Sequence, residues 1–299
     1  MGYLFLGLAT VAGLTKGFCG KRVSGYVKES RDAMISNLIR MAFCILIGLV
    51  LVIVMLGPAG FAIGGTGLLI SAVSGAANAI FMVTWLFAVN RGAYMLVDVF
   101  LTLGLVVPVS LSAVFFGEGI TWNHYVGLAV LLVAVLVMCS YSSAVKARLD
   151  LPSLLLLLVC GLSQGICSFA QKWFVRAVSA EAVSAFNLYT YLCSAVVLAV
   201  AYLVIRRQNA AGGAPVRPFP ARRLVGYIAV MAAMLFLSSY LMTLAAAALD
   251  AVVLYPLSTG LNLALSAVMS AVAFRERLTG RCLIGIALTF AALLIINVL

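Results

Sequence analysis

Residues 33–56 read AMISNLIRMAFCILIGLVLVIVML, and Arg40 is the one charge among them. A helix needs about 20 apolar residues to cross the ~30 Å hydrocarbon layer, so this stretch is long enough to span it. Comparable stretches recur at 2–20, 65–89, 93–116, 122–143, 152–175, 182–205, 223–247, 251–274 and 279–298. Short breaks rich in turn formers or charge separate them, such as GPAG at 57–60, FGEG at 116–119, LDLP at 149–152 and RRQNAAGGAPVRPFPARR at 206–223. A soluble fold cannot hide so much apolar surface: 65% of the residues are hydrophobic and 9% charged, against about a quarter charged in an ordinary globular domain. The pattern predicts an all-α integral membrane protein with ten transmembrane helices.

The formal net charge of +11 would suggest nucleic acid in a soluble protein. Here the basic residues sit between apolar runs, as in loops that face an anionic cytoplasmic leaflet, and nucleic-acid binding is excluded on that ground. Apart from Lys16 and Arg40 within helices, every Lys and Arg except Lys172 and Arg176 lies in or at the edge of the breaks after helices 1, 3, 5, 7 and 9. The positive-inside rule makes those breaks cytoplasmic and both termini exterior, in a multi-pass protein of the cytoplasmic membrane. The seven cysteines form no CxxC pair and have no histidine at metal-ligand spacing. Neither a disulfide framework, a metal site nor a cofactor is expected.

The two halves of the chain align. GEGITWNHYVGLAVLLVAVLVM (117–138) and RERLTGRCLIGIALTFAALLII (275–296) share Glu118/Glu276, Thr121/Thr279 and Gly127/Gly285 at identical spacing. NLIRMAFC (37–44) lies over NLYTYLCS (187–194), and GLTKGFCG (13–20) over GLSQGICS (161–168). Each half, 1–145 and 150–299, is thus expected to hold five helices. An odd number per copy forces the second to run inverted through the membrane. Inverted repeats are typical of secondary transporters, whose substrate site lies between the halves near the midplane.

Two five-helix copies, each ending in Glu-x-x-Thr and a Gly-led apolar helix, resemble the drug/metabolite transporter superfamily, specifically its EamA-type members. Arg40 early in helix 2 and Tyr255-Pro256 opening helix 9 belong to the same resemblance, which covers nearly the whole chain. It implies a ten-helix transporter with a central cavity walled by both halves. It implies no one substrate, because the superfamily moves amino acids, nucleotide sugars and cationic drugs among others. Asp98 stands where the first half would match Pro256, so the resemblance does not carry a proline-opened helix 4. Ten-helix relatives are usually drawn with both termini inside. The lopsided distribution of Lys and Arg places them outside, and a fold does not fix its own orientation.

Three ionisable groups lie below the cytoplasmic edge on first-half helices. At ~1.5 Å per residue Lys16 is about 7 Å deep, Asp98 about 9 Å and Arg40 about 11 Å. A lysine at that depth can snorkel to the headgroups. Three charges at one level point instead to partners or a wet cavity, and Lys16 is expected to face that cavity and pair with Asp98. Their second-half counterparts, Gln164, Thr190 and Pro256, are neutral. The substrate-site candidates are Lys16, Asp98, Arg40 and Gln164, with Trp85 and Asn262 as wall residues inside helices. Two positive charges to one negative favour a substrate with an anionic group. Asn37 and Asn187 are expected to tie helices together. Glu118 and Glu276 each precede by three residues a threonine placed to cap the next helix, and both are candidates for proton coupling.

The expected function is movement of a small polar metabolite or drug, outward, by alternating access. Its partners are that small molecule, the lipid bilayer and a coupled proton or counter-substrate. A flippase for a lipid-linked sugar or phosphate would share this fold. GLSQG at 161–165 matches the G-x-S-x-G nucleophile pattern, but that motif works on a strand-to-helix elbow. In a long apolar helix Ser163 has no readable base, since His124, the single histidine, starts helix 5 at the exterior. Both copies keep Gly-x-x-x-Gly at this place, which lets helix backbones approach, so packing is expected and no enzymatic activity. GFAIGGTG at 60–67 lacks the Gly-Lys of a phosphate loop and reads as a tight exterior turn.

Overall fold

In hydrocarbon a backbone N–H or C=O finds no water, so a single apolar segment satisfies its own backbone by coiling into a helix. The computed structural model describes residues 1–28, 30–91, 97, 100–102, 104–119, 121–139, 151–211, 221–273 and 280–298. Those residues are helical almost throughout and contain no strand. In chain order the helices are α1 (Gly2–Ser24), α2 (Ser30–Leu56), α3 (Gly64–Arg91), α4 (Val106–Phe116) and α5 (Trp122–Cys139). There follow α6 (Leu151–Ala177), α7 (Val183–Ala211), α8 (Ala221–Ala248), α9 (Ala251–Ala273) and α10 (Gly280–Val298). Among the described residues seven helices, α1–α3 and α6–α9, are long and apolar enough to cross a membrane, and α4, α5 and α10 are shorter apolar helices. The chain is a multi-pass helical membrane protein.

Its outer surface agrees with that solvent. Leu46, Val50, Ile53 and Val54 on α2, and Val196, Val200 and Leu203 on α7, are exposed. An apolar patch of this extent would be a liability in water and is the ordinary surface in lipid. The inward faces meet in two main clusters. One gathers Met41, Cys44, Met82, Trp85, Tyr191 and Phe236 from α2, α3, α7 and α8. The other gathers Leu6, Val109, Leu131, Leu254, Tyr255 and Ala292 from α1, α4, α5, α9 and α10.

Helix α1 runs antiparallel to α8: Gly2 packs on Leu249, Ser238 Oγ donates to Ala9 O at 3.0 Å, and Val23 packs near Leu224. At the far end of α1, Lys21 Nζ donates to Val89 O at 3.3 Å, so α1 and α3 finish at the same end of the bundle. The principal pairings are α1 with α8 and α9, α2 with α7 and α8, α3 with α6 and α7, α4 with α6, and α5 with α10.

Helix 4 is not the unbroken 93–116 segment expected from its apolar run. Residues 100–102 are helical, 104–105 form a turn, and α4 begins at Val106. The cause is Pro108, which has no N–H to give the carbonyl four residues back and whose ring crowds it. That carbonyl belongs to Gly104, and it accepts from Val107 N–H instead, at 3.2 Å. At its other end α4 closes on Gly117, whose φ of 64° and ψ of 25° are left-handed. Glycine takes that conformation without a Cβ penalty, and the turn sends Glu118 back towards α6 and α9.

A polar cavity between the helices

Polar side chains recur along single stripes of otherwise apolar helices. On α9 the stripe is Tyr255, Ser258, Thr259, Asn262 and Ser266; on α3 it is Ser74, Asn78, Phe81 and Trp85. Steps of three and four residues keep such positions on one helical face. These faces, with others from α1, α4, α6, α7 and α8, line a partly open cavity of about 210 Å³.

Lys16 lines this cavity beside Gly13 and Thr10 of α1. Its Nζ stands 6.0 Å from the ring centroid of Phe81 on α3, at the outer reach of a cation–π contact. The lysine therefore borders the interior of the bundle. Trp85 is 6% exposed and lies against Gly20, where a Cβ would come within 2.5 Å of the indole ring. Gln164 sits half-buried in the wall. Asn262 turns its amide back along α9, donating to Ser258 O at 2.8 Å. Tyr191, 1% exposed, is also in the wall, with its ring 5.7 Å from that of Phe236.

Arg40 does not belong to this wall. It is 4% exposed, its Nη2 donates to Asn37 Oδ1 at 2.6 Å, and its Nε has no hydrogen-bond partner among the described residues. Depth along the helix placed it level with Lys16, but its direction around the helix carries it elsewhere. Asn37 thus serves its own helix. Asn187 does join helices, accepting at 2.7 Å from Ser239 Oγ, which in turn accepts from Gln171 Nε2 at 3.2 Å. Asp98 and Glu276 lie outside the described residues.

Glu118 holds one end of the bundle together. Its Oε1 is 2.9 Å from Lys172 Nζ and 3.3 Å from Arg176 Nη2. Its Oε2 accepts the Ala251 N–H that opens α9, at 2.8 Å. Lys172, 1% exposed, also donates to Leu249 O at 2.7 Å, and Arg176 reaches Asp250 at 3.7 Å. The carboxylate thereby caps α9 and neutralises a lysine buried on α6, with both oxygens engaged.

Ser163 spends its hydroxyl on its own helix, donating to Val159 O. It is 4% exposed and absent from the cavity wall. Around it, Gly161 and Gly165 meet the backbone of the broken segment before α4. A Cβ on Gly161 would lie 2.7 Å from Phe100 O, and one on Gly165 would lie 2.3 Å from Gly104 O. The first-half copy differs, because Gly13 faces the cavity and its nearest neighbours are Asn262 Oδ1 and Ser238 Oγ at 3.6 and 3.7 Å.

Ser74, Asn78, Ser168 and Thr259 as wall residues, and Pro108, are absent from the sequence reading, and Thr190 stands in it only as the neutral counterpart of Arg40. The stripes on α3 and α9 were the available signal, and so was a proline four residues after a glycine.

No family model and no curated protein matches the chain. A crystal structure described only as that of a protein superposes with a TM-score of 0.64 at 19% identity, covering 99% of this chain and 95% of that one. The likeness extends over the whole length and concerns the fold alone.

Proposed function

We propose that the chain is a secondary transporter of the EamA type, in which two inverted five-helix halves, 1–145 and 150–299, rock about a central site. The observation that carries this reading is the cavity of about 210 Å³, set with Lys16, amides and hydroxyls inside an apolar bundle. Polar groups at membrane depth are costly and face a partner or a pathway. The helix pairings support the inversion. Exchanging α1–α5 with α6–α10 turns α1·α8 into α6·α3, α2·α8 into α7·α3, and α1·α9 into α6·α4, while α2·α7 and α5·α10 map onto themselves. The broken segment before α4, on the cavity wall, fits the interrupted helices of such sites. The substrate is a small polar molecule, and the direction is outward.

Reconstituted protein is expected to carry a compound chosen by thermal-shift screening, and Lys16→Ala to cut its flux about 10- to 100-fold. That is the loss of one charge-assisted contact of about 1.5–3 kcal/mol. Undiminished flux in Lys16→Ala, at equal protein in the vesicles, removes the site from the mechanism.

In this reading the end bearing Lys21, Arg22, Arg206, Arg207, Arg222 and Arg223 is cytoplasmic and both termini are exterior. An Arg207→Cys variant in intact cells should react with a membrane-impermeant maleimide no more than its parent does. Added labelling without permeabilisation reverses the orientation.

A further inference from the structure

The cavity wall contains two kinds of polar group. Some are already occupied: Thr10 donates to Leu6 O at 2.9 Å, Ser238 to Ala9 O at 3.0 Å, and Ser266 to Leu263 O at 3.1 Å. Others have no hydrogen-bonding partner among the described residues: Ser74 on α3, Gln164 and Ser168 on α6, Thr190 on α7 and Thr259 on α9. Thr190 is the sharpest case, being 4% exposed with an unpartnered Oγ1. These groups lie close together. Cys167, next to Ser168, donates to Ser74 O at 3.7 Å, and Tyr255, one turn before Thr259, donates to Ser168 O.

All five are neutral hydroxyls or an amide, able both to donate and to accept. A buried hydroxyl is normally satisfied, and Thr190 Oγ1 is not; with the half-buried Gln164, Ser168 and Thr259 in the same wall, the cavity suits a ligand that carries small neutral donors and acceptors of its own. Trp85 and Tyr191 border the same cavity but are 6% and 1% exposed. Its volume of about 210 Å³ falls below the ~300 Å³ at which drug-sized pockets begin. A polyhydroxylated ring meets both conditions, with hydroxyls at its rim and a suitable size.

We infer that the cavity binds a polyhydroxylated molecule of single-sugar size, and that Gln164 determines which stereoisomer it accepts. Serine and threonine hydroxyls rotate to suit either isomer. A glutamine amide has its donor and acceptor on fixed sides, so a misdirected hydroxyl leaves it unpaired in the wall. This rests on the transport reading for its biological sense, but the test reads binding alone.

Purified full-length protein is titrated with D- and L-enantiomers of glucose, galactose, mannose and arabinose while its unfolding midpoint is followed. Non-specific polyol stabilisation is the same for mirror images, so only a difference between them reports a site. The expected result is a saturable rise for one enantiomer of at least one sugar, about 2–4 °C at roughly five times its Kd. Gln164→Leu should leave the unliganded midpoint in place, because the amide has no protein partner to lose, and should weaken the preferred enantiomer about tenfold. Thr259→Val should weaken it too, and decides the matter if Gln164→Leu does not fold. The inference is overturned if no sugar gives an enantiomer-selective shift, or if the selectivity survives in the folded variants. A ligand without hydroxyls that binds and is carried would end it while leaving transport intact. Enantiomer-selective binding without flux would keep it and end the transport reading.

Discussion

Glu118→Ala is expected to lower the unfolding midpoint of the purified protein by on the order of 10 °C, and adding Lys172→Met to that variant should restore most of the loss. Glu118 and Lys172 have side chains 5% and 2% exposed, with 2.9 Å between Oε1 and Nζ. Removing the carboxylate strands an ammonium whose remaining contact is the Leu249 carbonyl, and breaking such a buried pair costs about 3–5 kcal/mol. It also uncaps Ala251 N–H at the start of α9, worth about 1 kcal/mol more. Lys172→Met alone should be milder. Glu118 then retains Ala251 and Arg176, whose side chain is 50% exposed. Lys172→Met nearly keeps the lysine's volume and removes the stranded ammonium, the larger part of the Glu118→Ala cost, so the double variant should be more stable than the sum of the single losses predicts. Losses that simply add in the double variant would mean that the two groups are not coupled.

The same cluster bears on orientation. Lys172 and Arg176 are the two basic residues that stand apart from the basic breaks, and in the fold they lie against Glu118 and Asp250. Their charge is balanced within the protein, which leaves the opposite end of the bundle as the one with surplus positive charge. Sequence counting treated them as exceptions; packing gives them a specific structural task.

What the sequence made legible follows from the periodicity of helices in lipid. Apolar runs bounded by Gly, Pro and Arg locate the seven long apolar helices among the described residues, because water cannot rescue a misplaced boundary, but they do not show the break inside 93–116. Position along a helix is readable as well: Lys16 stands five residues before the basic end of its apolar run, and in the fold it lines the cavity. Direction around the helix is not. Lys16 and Arg40 are at similar expected depth, yet Lys16 lines the cavity and Arg40 is packed beside Asn37. In a soluble helix a polar face betrays the outside, whereas here lipid and core are both apolar and the contrast vanishes. Small hydroxyls escaped for a related reason: Ser and Thr can bond to their own helix, and only the fold separates Thr10, which does, from Thr190, which does not. The break before α4 was hidden because Pro108 acts four residues upstream of itself, on Gly104.

That break sets up the second large effect. Gly104→Ala and Gly165→Ala should each destabilise the protein at or above the upper end of the ~1–3 kcal/mol typical of overpacking, and should abolish any transport. A Cβ on Gly104 would lie 2.1 Å from Gly161 O, and one on Gly165 would lie 2.3 Å from Gly104 O. Both obstacles are backbone, so no rotamer change relieves them; α4 and α6 must separate, and Leu105 and Pro108 leave the cavity wall with them. Gly226 on α8 is the control, since a Cβ there meets nothing within 4 Å. Gly226→Ala should hold or raise the midpoint, because alanine is favoured over glycine inside a helix by up to about 1 kcal/mol. Gly13→Ala separates packing from site. Its new methyl would touch only Asn262 and Ser238, at 3.6 and 3.7 Å, so the fold should tolerate it while ligand binding in the cavity weakens. The measurement is the unfolding midpoint of the four variants at one scan rate, with ligand-induced shifts beside it. Equal midpoints for Gly104→Ala and Gly226→Ala would show that the turn before α4 does not meet α6 backbone to backbone.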